Sequence, residues 1–208
     1  MNLDYAAGQI SGAVMMAFSR EGWEQRLDRS VDGVFRSFQA FLFAAPFALV
    51  GYFFLRRAAE HTTELQASAL LQTPYPYMIA VEMTGFALDW AASLALLVFA
   101  ARMLGAARRV GDLIIGFNWI QPAIAAAQAA PLALLSVDAT GSAAAIAFFP
   151  SFAFAVALLW GVIRRSTQAG PGAAAGLILL LALTGLIVGA IVSSAAVGLY
   201  AVIGNSAD

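Results

Sequence analysis

The sequence predicts an all-α membrane protein of five transmembrane helices preceded by an N-terminal interfacial helix, and three observations carry that expectation. Hydrophobic residues make up 62% of the 208-residue chain and charged residues 11%, about half the charge of a typical soluble domain. Five apolar runs are each long enough to cross roughly 30 Å of hydrocarbon at 1.5 Å per residue. Eleven arginines, with no lysine, are distributed over the six polar pieces into which those runs cut the chain. Alternate pieces hold nine of them (Arg20, Arg26, Arg29, Arg36, Arg102, Arg108, Arg109, Arg164, Arg165) against two (Arg56, Arg57). Short cytoplasmic loops keep an excess of basic residues because such loops translocate poorly. The asymmetry therefore supports the span count independently of hydropathy. It also predicts a cytoplasmic N-terminus and a periplasmic C-terminus.

Residues 1–32 are expected to form a cytoplasmic or interfacial amphipathic helical segment, and residues 33–205 the transmembrane domain. Ile10, Val14, Met15 and Phe18 recur at helical spacing, with Arg20, Trp23, Arg26 and Arg29 following. That pattern fits a helix lying among lipid headgroups, and equally an extension packed on the bundle. Gly8, Gly12 and Gly22 lower helix propensity here. The start lacks the basic stretch and apolar core of a signal peptide, and Asp4 stands where positive charge would be needed.

Ser30 reads as an N-cap, with Asp32 favoured in the first turn by the helix dipole. Span one follows over about 34–55, with a kink expected at Pro46. A short surface helix is expected at 60–71, before Tyr75 and Tyr77 at headgroup depth. Span two covers about 77–101, span three about 111–135 with Pro122 and Pro131, and span four about 143–163 with a bend expected at Pro150. A Gly170-Pro171-Gly172 turn leads into span five, about 173–203, longer than a perpendicular crossing requires.

Polar residues inside these spans are the candidate functional groups. Glu82 and Asp89 lie two turns apart on one face of span two, and Ser93 continues that face. Asp89 falls near mid-span, with Glu82 about 10 Å nearer the outer surface. A carboxylate at mid-helix costs about 2.5 to 3.5 kcal/mol on insertion scales, so both must face the bundle interior or water. No arginine shares the depth of Asp89, which leaves it either protonated or hydrogen-bonded to amides. Span three supplies amides: Asn118, Gln121 and Gln128 fall within about 80° on a helical wheel. The set Glu82, Asp89, Asn118, Gln121 and Gln128 is either a proton- or cation-responsive track or an interhelical hydrogen-bond cluster. In span five, Gly185, Gly189 and Ser193 at intervals of four make a candidate helix-packing face.

Other function classes lack their residues. Without cysteine there are no disulfides, thiolate nucleophiles or iron–sulfur clusters. The lone His61 removes paired-histidine metal or haem ligation. No serine sits in a nucleophile elbow and no glycine-rich loop precedes a basic helix. No catalytic residue, metal or cofactor is expected, nor nucleic-acid binding, because the basic residues gather at membrane edges. The first functional reading is a non-enzymatic accessory, scaffolding or assembly component. Its partners would be membrane lipids and a membrane protein or a second copy of the chain. The alternative is a small transporter or channel component using Asp89 and Glu82. Arginine without lysine and abundant alanine point to a GC-rich bacterial source.

The stretches Ser30–Phe38, leading into span one, and Phe117–Pro122, in span three, resemble those of uncharacterised five-span bacterial inner-membrane proteins. In topology the chain also resembles the Yip1 family, which has a cytoplasmic N-terminus, five clustered spans and a short tail on the far side. The Asp-Leu-aromatic-Gly-Pro and Gly-x-Tyr-Gly signatures of that family are absent, so no functional residue carries over. The resemblance implies a membrane-organising or partner-binding role.

Overall fold

A computed structural model describes residues 2–61, 71, 73–137 and 142–205, with side chains described as far as 196. The described residues are helical and contain no strand: α1 (Leu3–Ala17), α2 (Trp23–Arg26), α3 (Val31–Ser37), α4 (Ala40–Ala59), α5 (Tyr75–Met103), α6 (Val110–Leu135), α7 (Ser142–Thr167) and α8 (Pro171–Asn205). A single 3₁₀ turn, Ala107–Arg109, leads into α6. Five segments are long and apolar enough to cross a membrane: Val31–Ala59, Tyr75–Met103, Ala107–Leu135, Ser142–Thr167 and Pro171–Ala196. The surface helix expected at 60–71 lies almost entirely outside the described residues.

Span one is interrupted where the sequence suggests continuity. The Ser30 hydroxyl accepts from Gly33 N at 3.0 Å, capping α3 as its residue type requires. At the far end of α3 the Ser37 hydroxyl donates to Val34 O at 2.7 Å. Phe38 N turns instead to Phe35 O, and Gln39 N to Arg36 O, so the helix tightens to i→i+3 bonding before α4 begins. The prolines do not end their helices. α4 runs through Pro46, α6 through Pro122 and Pro131, and α7 through Pro150.

α6 is the centre of the bundle. It packs against α4 on one side and α7 on another, with α1 laid across both α6 and α7. Its Leu113, Ile115, Trp119 and Ile120 are fully enclosed. α5 packs chiefly on α8 and touches α6 more sparsely, so the bundle divides into a larger α4–α6–α7 group and an α5–α8 pair.

α1 packs on the bundle through a face the sequence does not advertise. Ala6, Gln9, Ala13 and Met16, spaced to share one helical face, are buried together with Gly12 and Ala17. The expected stripe points elsewhere: Ile10, Val14 and Met15 are only half-buried and Phe18 is exposed. Small residues let main chains touch, and a β-carbon on Gly161 of α7 would stand 1.8 Å from Ala17 O. The Gln9 amide then fastens the following loop, donating to Arg26 O at 2.8 Å and accepting from Asp28 N at 3.0 Å. Asp28 accepts from the Ser30 hydroxyl at 2.6 Å and from the Tyr5 hydroxyl at 3.2 Å. Arg29 forms a two-point ion pair with Asp112 at the start of α6, both bonds 2.7 Å.

The hydrogen bond from Ser30, helped by that from Tyr5, holds the Asp28 carboxyl below its ordinary value of 3.8. A depressed folded-state value means this contribution is complete above pH 3.8 and is lost as pH falls below it. Acidification through that point is expected to loosen the N-terminal segment, seen as faster hydrogen exchange over residues 2–30. Asp28→Asn should show no such step. Identical acid profiles for the two proteins would refute the assignment.

The arginine pattern maps onto two ends of one bundle. Arg29 meets Asp112, Arg165 donates to the Ser19 hydroxyl at 2.8 Å, and Arg109 faces Arg165 O at 3.5 Å, so the basic-rich pieces share one end. At the other end Arg56 donates to Leu71 O and Thr73 O and lies 4.1 Å from the centre of the Tyr75 ring.

Candidate functional site

Asp89 sits at the middle residue of α5 and points toward α8. A β-carbon on Gly185 would stand 3.3 Å from its Oδ1, so the absence of a side chain at 185 lets the carboxyl group lie against α8. The same antiparallel seam places Val192 3.5 Å from the β-position of Gly85, and the Tyr77 hydroxyl on Ala196 O. Of the three residues expected to form a packing face, only Gly185 meets another helix. Gly189 has nothing within 4 Å and Ser193 is exposed. The contact follows the row 185, 192, 196, in which 192 and 196 lie about 20° to either side of 185 on a helix of 3.6 residues per turn, whereas 189 and 193 lie about 40° and 80° round from it.

A cavity of about 330 Å³ opens between the α5–α8 pair and the larger group. Its polar lining is Asp89, Ser93, Gln121 and Gln128, and Phe86, Phe117 and Phe152 are among its apolar walls. The matched depth of Asp89 and Gln121 follows from antiparallel helices of similar length, so this part of the predicted cluster is brought together. Glu82 is not part of it. It lies two turns away, half-buried, and does not line the cavity.

Asn118 also belongs elsewhere. Its side chain is fully buried, accepts from Trp90 Nε1 at 2.8 Å, and donates from Nδ2 to the Ser37 hydroxyl at 2.8 Å. With the Ser37–Val34 bond these contacts form one relay through spans two, three and one, ending at the interruption of span one. Trp90 is adjacent to Asp89 and so projects to a different side of α5, into a cluster with Phe41, Phe86 and Phe117. Trp90 and Ser37 are the site residues that sequence reasoning missed. A tryptophan beside a mid-span aspartate is the one signal that could have found the first.

The two polar groups differ in satisfaction. Every polar side-chain atom of the Asn118 relay has a partner. In the cavity, by contrast, Asp89 Oδ1 is buried without a hydrogen-bond partner, and among the described residues no bond joins Asp89 to Gln121, Gln128 or Ser93. A buried acceptor left unmet costs about 1–3 kcal/mol. The arrangement suits a small group that brings positive charge or donors to the carboxyl and uses the amides as secondary partners.

No protein-family model, curated protein or solved structure matches the chain.

Proposed function

We propose that the chain is a non-enzymatic integral protein of the bacterial cytoplasmic membrane, acting as a small transporter or channel component that receives a cation or proton at Asp89. The supporting observation is the mid-span cavity whose carboxyl oxygen has no partner while amides of the facing helix stand around it. A cluster serving only to glue helices would satisfy its own members, as the Asn118 relay does. The arginine asymmetry supports a cytoplasmic N-terminus and a periplasmic C-terminus. The membrane-organising role implied by the Yip1-like topology is the second reading. The close α1–α7 approach at Gly161 and the α5–α8 seam at Gly185 support it, as contacts of a kind that membrane helices use for association.

Reconstitution into vesicles separates the two readings. Wild-type protein is expected to raise proton or monovalent-cation flux above protein-free vesicles, and Asp89→Asn to lower that increment at least tenfold. Gln121→Leu should reduce it less. Wild-type vesicles no leakier than empty ones, or equal flux in Asp89→Asn, would return the protein to the scaffold reading.

A further inference from the structure

A second concave site lies at the arginine-rich end, independent of Asp89. The turn between α5 and α6 and the turn between α7 and α8 enclose a cleft of about 570 Å³, lined among others by Leu104, Gly105, Arg108, Arg109, Thr167 and Gln168. No carboxylate lines it. Arg109 spans the cleft: the Gln168 amide, with its oxygen turned to the guanidinium, accepts from both terminal nitrogens at 3.1 Å. Arg108 is exposed and, among the described residues, has no acceptor. Its guanidinium is therefore free to take an anion in two-point fashion.

Two helix C-termini meet here, and their carbonyls would repel an anion. Both ends are closed internally. Gly105, at φ +74°, carries the chain round so that Ala106 N reaches Ala101 O at 2.8 Å. At the end of α7, Gln168 N bonds Arg164 O, and the Arg164 guanidinium covers Ala169 O at 2.6 Å. The arginines thus set the sign of the cleft.

Its lip is apolar. Leu104 leads down the helix to Met103 and Phe99, one turn apart and both largely exposed. A basic cleft above an exposed apolar helix face at the edge of a membrane span matches a molecule with an anionic head and an acyl tail. From this juxtaposition we infer that the Arg108–Arg109 cleft binds the headgroup of an anionic phospholipid, its chains lying along Phe99 and Met103.

The full chain, purified in a phosphatidylcholine–phosphatidylglycerol mixture and examined by native mass spectrometry, tests this. Phosphatidylglycerol should be retained over phosphatidylcholine. Arg108→Gln should lower that preference about fivefold, the worth of one basic residue near an anionic surface. Arg108→Lys should keep most of it, and Arg57→Gln, at the opposite end, should leave it unchanged. Arg108 is exposed and, among the described residues, makes no hydrogen bond or ion pair, so its loss is expected to leave the fold intact. Equal preference in wild type and Arg108→Gln overturns the inference. So does displacement of the lipid by inorganic phosphate alone, which would make the cleft a site for free phosphate.

Discussion

Replacing Gly161 by alanine is expected to lift α1 off α7 and to cost about 3 kcal/mol, the upper end of the usual range for overfilling a packed interior. The added methyl would stand 1.8 Å from Ala17 O and 2.4 Å from its carbonyl carbon. Those are main-chain atoms, and no rotamer change can move them aside. The contrast with Gly116 is informative. There the nearest atoms are Val162 Cγ1 at 3.0 Å and Met16 Sδ at 3.1 Å, and the flexible methionine can yield. Gly176, with nothing within 4 Å, is the control. Its alanine variant should be neutral or gain up to about 1 kcal/mol from helix propensity. Thermal unfolding in detergent gives the stability change, and tryptic cleavage at Arg20 and Arg26 reports release of the N-terminal segment. An unchanged midpoint and unchanged cleavage in Gly161→Ala would mean that α1 does not sit where it is described.

Asn118→Leu is the second large effect, expected at about 2 kcal/mol. Leucine keeps the volume but leaves Trp90 Nε1 buried without an acceptor, an omission worth about 1–3 kcal/mol. Ser37 loses a donor but still bonds Val34 O, so its share is smaller. Interhelical hydrogen bonds in membranes average only about 0.6 kcal/mol, because the separated helices find other partners. That average argues for the lower half of the range, and full burial of Asn118 for the upper half. A double-mutant cycle with Ser37→Ala decides how much of the effect passes along the relay. Additive losses would show that Asn118 and Ser37 act separately, contrary to the description of a single connected chain.

The five apolar segments and the two ends of the bundle were legible in the sequence because both rest on composition along one dimension. Apolar length marks a span whatever its neighbours, and arginine position needs no tertiary information. The pairing of Asp89 with the depth of Gln121 was legible for the same reason, since alternating helices of similar length align their middles. What could not be read was which helices touch. Asn118 shares a wheel sector with Gln121 in the sequence, yet its partners come from spans one and two, through Ser37 and Trp90. The buried face of α1 was hidden because it is made of alanine and glycine. Such residues contribute little to an apolar stripe, and they act through how near they let another main chain come. The interruption at Phe38 was equally silent, since a serine that turns its hydroxyl onto the preceding turn looks like any other serine in a helix.

The association of α5 with α8 has a consequence for biosynthesis. Synthesis from the N-terminus produces Asp89 well before Gly185 exists to lie against it. The α4–α6–α7 group can close while α5 still lacks its principal neighbour, and α8, made after them, completes the enclosure of the carboxyl group. Maturation of the cavity is in this way tied to the synthesis of α8.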